Sequence, residues 1–113
     1  MSNHYAAGLE GEAIACAYLK QMGIQVLETR FRGKEGEIDI IAREGNITCF
    51  IEVKYRPAAR LTEALGAVDD DKRRRVRSAA RQYAQKHGTK PPMRFDIIEI
   101  TRAGVLYLKG NPS

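Results

Sequence analysis

Three charged residues stand where strands would be expected to be apolar. Asp39 lies between Ile38 and Ile40, Glu52 lies between Ile51 and Val53, and Lys54 follows two residues later. Side chains alternate along a strand, so Glu37, Asp39 and Ile41 are expected on one face, as are Phe50, Glu52 and Lys54. Gly45-Asn46 reads as the turn of a hairpin joining the two runs. That turn pairs Glu44 with Ile47, and the resulting register predicts Asp39 opposite Glu52 and Glu37 opposite Lys54.

Opposed carboxylates repel one another unless something compensates them. A divalent cation would do so, because Mg²⁺ is held by one or two carboxylates and keeps several waters. A lysine beside it would position an attacking water or offset charge developing on a phosphate. Two acids and a lysine are therefore the set that metal-assisted phosphodiester hydrolysis needs. The alternative is a solvated strand face on which Glu37 and Lys54 form an exposed salt bridge of little energetic weight. Glu12 raises a similar choice, since it shares a helix face with Leu9, Cys16 and Leu19. A carboxylate within an apolar stripe is costly unless paired or metal-bound; at the stripe's edge it would simply reach water.

The elements that must position these residues follow from the pattern. A first helix is expected from about Tyr5 to Met22, with Leu9, Ala13, Cys16 and Leu19 or Lys20 at helical spacing and Gly23 as its stop. Strands are expected at Ile24–Phe31, Glu37–Ala42 and Ile47–Tyr55, the last ended by Pro57. A second helix is expected from about Asp69 to His87, its acidic start suited to the positive helix end. Val68, Val76, Ala79 or Ala80, Tyr83 and Ala84 form its apolar side, and Gly88 with Pro91-Pro92 ends it. Arg94–Ile100 and Val105–Leu108 complete a hairpin around Ala103-Gly104. The order αβββαββ predicts an α/β (α+β) domain with a mixed sheet flanked by helices.

Composition narrows the classes. The 113 residues fit one domain spanning 1–113, and 43% hydrophobic with 29% charged residues is a globular balance. No apolar run approaches the roughly 20 residues of a membrane span. Cys16 and Cys49 have no paired spacing, and His4 and His87 lie far apart, which argues against a disulfide framework and a zinc site. A reducing, cytoplasmic setting is the expectation. Any metal would be one liganded by oxygen. The two histidines also leave no material for Ser/His/Asp catalysis.

Taken together, G-E-I-D-I-I-A (36–42) and F-I-E-V-K-Y-R (50–56) resemble the PD-(D/E)xK nuclease signature, with Asp39, Glu52 and Lys54 in the D, E and K places. More narrowly, the chain is similar to the YraN-like uncharacterised bacterial family, relatives of archaeal Holliday junction resolvases. That likeness also covers G-L-E-G-E-x-x-A-x-x-Y-L (8–19), Lys72 with the Ala79-Ala80 helix, and R-F-D (94–96). It implies a restriction-endonuclease-like fold and a metal-dependent endonuclease site. On this likeness Asp39 and Glu52 would hold Mg²⁺ or Mn²⁺, Lys54 would be the catalytic cation, and Glu12 would be the helix-one acid of the resolvases. Arg32 and Arg56 become candidate phosphate contacts. Two positions depart from the pattern: Arg30 stands where Asn is frequent, and Thr62-Glu63 replaces a glycine-rich stretch.

The basic charge is concentrated. Eight Lys or Arg in residues 69–90 face three Asp, a net of +5 that equals the charge of the whole chain. Lys72, Arg73 and Arg77 are the candidates for nucleic-acid contact, since phosphate neutralisation dominates such binding. The alternative is a solvated helix whose arginines pair with nearby acids. Arg94 and Asp96 read as a structural ion pair. The leading expectation is a Mg²⁺- or Mn²⁺-dependent endonuclease acting on DNA, branched or junction DNA included, with a symmetric homodimer implied by junction cleavage. Its rivals are a non-catalytic nucleic-acid-binding module that keeps the nuclease fold, and a protein-interaction domain whose basic helix meets an acidic partner.

Overall fold

The structure, a computed structural model, describes residues 3–58 and 70–112. Thr62-Glu63, Val68 and Asp69 lie outside the described residues. The elements run α1 (Asn3–Gln21), β1 (Gln25–Arg32), β2 (Glu37–Glu44), β3 (Ile47–Arg56), α2 (Asp70–His87), β4 (Met93–Thr101) and β5 (Gly104–Leu108). This is the expected order αβββαββ in a mixed α+β arrangement.

Both helices end as the glycines predict. Gly23 takes φ +80°, the Gly23 amide donates to the Lys20 carbonyl, and the Ile24 amide reaches back to Leu19. Leu19 and Ile24 then meet in the core, the apolar contact that accompanies this cap. At α2, Gly88 takes φ +63° and the Thr89 amide bonds the Ala84 carbonyl. The β2–β3 turn places Gly45, φ +60°, at its first central position, where a type II′ turn requires glycine.

The five strands lie in the order β1-β2-β3-β4-β5. Neighbours are antiparallel except β3 and β4, which run parallel because α2 carries the chain back between them. On one face, Ala15 and Leu19 of α1 cover Ile40, Ala42, Cys49, Ile51, Ile98 and Ile100. On the other, Ala79, Ala80 and Tyr83 of α2 cover Phe31, Ile38, Ile41 and Phe50. The α1 face differs from the expected stripe: Leu9 is 40% exposed and Ala13 is exposed, whereas Gly11, Ala15 and Leu19 are buried. Close approach explains the shift, because a Cβ on Gly11 would come within 2.7 Å of Tyr55 Cβ.

The segment between β1 and β2 is held equally close to α2. A Cβ on Gly36 would lie 2.7 Å from the Arg75 carbonyl oxygen and 2.9 Å from its carbon. Backbone cannot yield as a side-chain tip can. Gly36→Ala is therefore expected to displace α2 and to cost about 1–3 kcal/mol in urea denaturation. A melt indistinguishable from that of the native chain would contradict this packing.

Candidate active site

The hairpin register sums as expected from Glu44↔Ile47 to Ile40↔Ile51, so the turn sets the pairing. There the β2–β3 ladder stops. Asp39 does not continue it; its Oδ2 instead accepts a hydrogen bond from the Val53 amide at 2.8 Å. The expected Glu37–Lys54 cross-strand pair does not form. Glu37 pairs with Arg32 on β1 at 3.3 Å, while Lys54 is buried beside Glu52 at 3.9 Å.

The cause is a reversal of side-chain alternation in β2. Ile38 and Ile41 both pack under α2, although strict alternation would send them to opposite faces. The β1–β2 ladder pairs Thr29 with Ile40 and Phe31 with Ile38, leaving Arg30 and Asp39 between. Arg30 takes φ +56°, a left-handed conformation rare for a residue with a side chain. Asn tolerates this conformation better than a residue with a long side chain does. Strained residues of this kind concentrate at functional sites. Here the left-handed residue lies across from Asp39, whose carboxylate leaves the ladder for the Val53 amide.

Asp39 and Glu52 line one cleft of about 380 Å³ with Gly36, Glu37, Ile38, Ile51, Lys72, Arg75 and Val76. Burial pushes the Asp39 carboxyl up to about 6, and the Glu52 charge adds to the rise despite the Val53 hydrogen bond. Burial depresses Lys54, with Glu52 opposing and the nearby charges of Lys72 and Arg56 adding to the fall. Lys72, from the first turn of α2, forms an ion pair with Glu52 Oε1. An ammonium thus already balances Glu52, one of the acids of the cleft.

The other sequence-predicted residues are dispersed. Glu12 pairs with Arg30 Nε at 2.9 Å and does not line the cleft, so it reaches the site only through the strained residue opposite Asp39. Arg32 and Arg56 are exposed on the sheet. Arg73 is exposed, with Asp70 at 3.9 Å, and Arg77 is exposed on α2. Arg74 and Arg75 both pair with Asp71. Arg94 and Asp96 do form a buried ion pair.

One acid escaped the sequence reading. Glu99 is fully buried, adjoins Lys54 in the β3–β4 register, and neither carboxylate oxygen has a hydrogen-bond partner among the described residues. Its place in I-I-E-I is the same signal that singled out Asp39 and Glu52. Only the parallel pairing of β4 with β3 brings it to Lys54.

Among the described residues no cluster of three or more His, Cys, Asp or Glu side chains forms. Asp39 and Glu52 are the carboxylates of the cleft lining that are not drawn to β1, as Glu37 is by Arg32. Two carboxylates suit a hard cation that retains waters, and they do not make a closed zinc site. No described helix is long and apolar enough to cross a membrane.

Residues 11–100 match the model of the uncharacterised protein family UPF0102. The chain belongs to this family. A UPF0102 protein of Janthinobacterium sp. strain Marseille is 38% identical over 103 residues, covering 91% of this chain and 84% of the relative. UPF0102 proteins of Thermotoga neapolitana and Chlorobium chlorochromatii are 39% and 40% identical, over 88% and 82% of this chain and 91% and 72% of their own lengths. The UPF0102 match includes β2, β3, α2 and β4 as far as Ile100, and hence Asp39, Glu52, Lys54, Lys72 and Glu99.

Proposed function

We propose that this protein is a divalent-metal-dependent endonuclease of the PD-(D/E)xK type, hydrolysing phosphodiester bonds in DNA. The observation that carries the reading is the convergence of Asp39 and Glu52 on one cleft, where each raises the need for positive charge. Asp39 and Glu52 would hold Mg²⁺ or Mn²⁺. When bound, the cation would supply Lewis-acid polarisation of water and phosphate. Lys54, buried beside Glu52 though not among the residues lining the cleft, would supply a cation on the Glu52 side, where negative charge on a phosphate would develop. Asp39 keeps its aim through the Val53 amide, and Glu12 keeps Arg30 in the geometry opposite it. Exposed Arg32, Arg56, Arg73 and Arg77 would meet the phosphate backbone around the site.

A second reading has an observation of its own. Lys72 neutralises Glu52 without any metal, as a binding module with the same fold would need. Cleavage separates the two. End-labelled linear, flap, single-stranded and four-way-junction DNA would be incubated with Mg²⁺ or Mn²⁺, with EDTA and Asp39→Asn as controls. Metal-dependent cutting lost in Asp39→Asn is the expected result, and preference for the junction would carry with it the symmetric dimer. Salt-sensitive DNA binding without any cutting would assign the binding module. Cutting that survives Asp39→Asn would overturn the site.

A further inference from the structure

α2 covers β1, β2 and β3 but leaves part of the β4 face open. Phe95 stands there 41% exposed. Its ring lies 5.5 Å from that of Phe50 at a 32° tilt, and Phe50 in turn meets Tyr83 edge-on at 5.9 Å. Phe95 is therefore a supported aromatic surface. Two adjoining hollows, of about 240 and 380 Å³, share Phe50, Arg77 and Phe95 and together make one groove along α2. Glu52 lines the nearer hollow and the candidate active site alike, so the groove leads straight out of that site.

The charge along the groove has one sign at its outer wall. Arg73, Arg77 and Arg81 follow one another at helical spacing, about 6 Å apart along the axis. Arg77 and Arg81 carry no ion pair among the described residues, unlike Arg74 and Arg75, which are engaged by Asp71. An apolar, aromatic floor beside a row of arginines suits a ligand with flat apolar faces and a polyanionic backbone. Unpaired nucleotides have both features. Paired bases offer no face to Phe95, because the duplex stack hides them.

We propose that this groove binds single-stranded DNA, with a base laid on Phe95 and phosphates on Arg77 and Arg81. The substrate of the Asp39/Glu52 site then carries an unpaired strand beside the bond to be cut; this last point rests on the endonuclease reading, while the binding itself does not.

The test reads binding in EDTA, so that cutting cannot contribute. Fluorescence anisotropy would compare a short labelled oligothymidine with a duplex of equal length, on the native chain, Phe95→Ala, Phe95→Tyr and Arg81→Ala. Phe95→Ala is expected to weaken the oligothymidine by roughly tenfold or more, Phe95→Tyr to keep it, and duplex binding to follow neither change. Arg81→Ala is expected to weaken the oligothymidine and to lower its salt dependence. Thermal melts check that each variant folds; Arg81 is exposed, so its variant reads the groove even if Phe95→Ala unfolds.

Equal oligothymidine affinity in the native chain, Phe95→Ala and Arg81→Ala would overturn the proposal. So would a dimer that Phe95→Ala converts to a monomer, which would mean that a second copy covers the groove. Failure here with duplex cutting still lost in Asp39→Asn removes the groove and leaves the nuclease. Oligothymidine held on Phe95 without cutting of any DNA removes the nuclease and leaves the groove.

Discussion

Asp39→Asn is expected to lower metal-dependent DNA cutting by roughly a thousandfold or more, and at the same time to make the metal-free protein more stable. The loss follows from the several kcal/mol of charge stabilisation that a bound cation supplies to phosphoryl chemistry. Asn keeps an oxygen for the Val53 amide, so the local backbone need not change. What Asn removes is a partly buried negative charge beside Glu52.

The stability gain has a definite sign and pH window. Asp39 is held near 6 in the folded chain, first by burial and then by Glu52, against an ordinary value of 3.8. The fold thus prefers the protonated acid. Below pH 4 both folded and unfolded chains carry it protonated, and there is no penalty. Between about 4 and 6 the unfolded chain loses the proton first, so stability falls as pH rises; above 6 the penalty is complete. Two pH units correspond to at most about 3 kcal/mol, and with solvent screening of a half-buried group roughly 1–2 kcal/mol is expected. For a chain of this size that raises Tm by several degrees at pH 7.5, with the difference vanishing near pH 4. Mn²⁺ should then raise the Tm of the native protein, which binds it when folded, and leave Asp39→Asn unmoved. A variant less stable than the native chain at pH 7.5 would mean that the Asp39 carboxylate serves the fold, and the metal reading would lose its support.

Much of this arrangement is legible in the sequence, because local chemistry fixes it. Gly45-Asn46 sets the hairpin register, which holds as far as Ile40↔Ile51, one residue short of Asp39 and Glu52. Gly23 and Gly88 stop the helices where glycine can turn left-handed. The readings that failed needed information from elsewhere in the chain. Glu37 was expected on Lys54 by alternation alone, but the left-handed Arg30 across from Asp39 resets the faces of β2, and Arg32 draws Glu37 to β1. The apolar stripe of α1 was misplaced because small residues, Gly11 and Ala15, were needed where the helix approaches Tyr55 and the sheet. Glu99 is not legible as a neighbour of the site, because Lys54 lies far back in sequence, across a parallel pairing that no turn signal announces.

Arg94→Met is expected to be the most destabilising exchange of a single side chain outside the cleft, and it should leave the chemistry of folded molecules intact. Arg94 is buried at the start of β4 and clamps Asp96 with two hydrogen bonds, 2.8 Å from Nε and 3.1 Å from Nη2. Nη2 also reaches Glu44 at the end of β2, 2.9 Å away, and the Tyr107 hydroxyl on β5 at 3.3 Å. Asp96 collects two further donors, Tyr107 at 2.6 Å and the Gly110 amide at 3.0 Å. One guanidinium therefore joins β2, β4 and β5, and its partner Asp96 ties in the segment after them. Burial works against its charge, but the bonds to Asp96, Glu44 and Tyr107 outweigh that and hold it protonated more firmly than usual. Methionine would fill much of the volume and leave the Asp96 carboxylate buried without a counter-charge, an error that costs about 3–5 kcal/mol. That is a large share of the roughly 5–15 kcal/mol that keeps a domain folded. Urea denaturation of Arg94→Met, Asp96→Leu and the double variant would check it. The double variant should be more stable than Arg94→Met, because removing both charges leaves none stranded. A loss below about 1 kcal/mol in Arg94→Met would assign the joining of β5 to apolar contacts alone, since that is the size of an exposed ion pair.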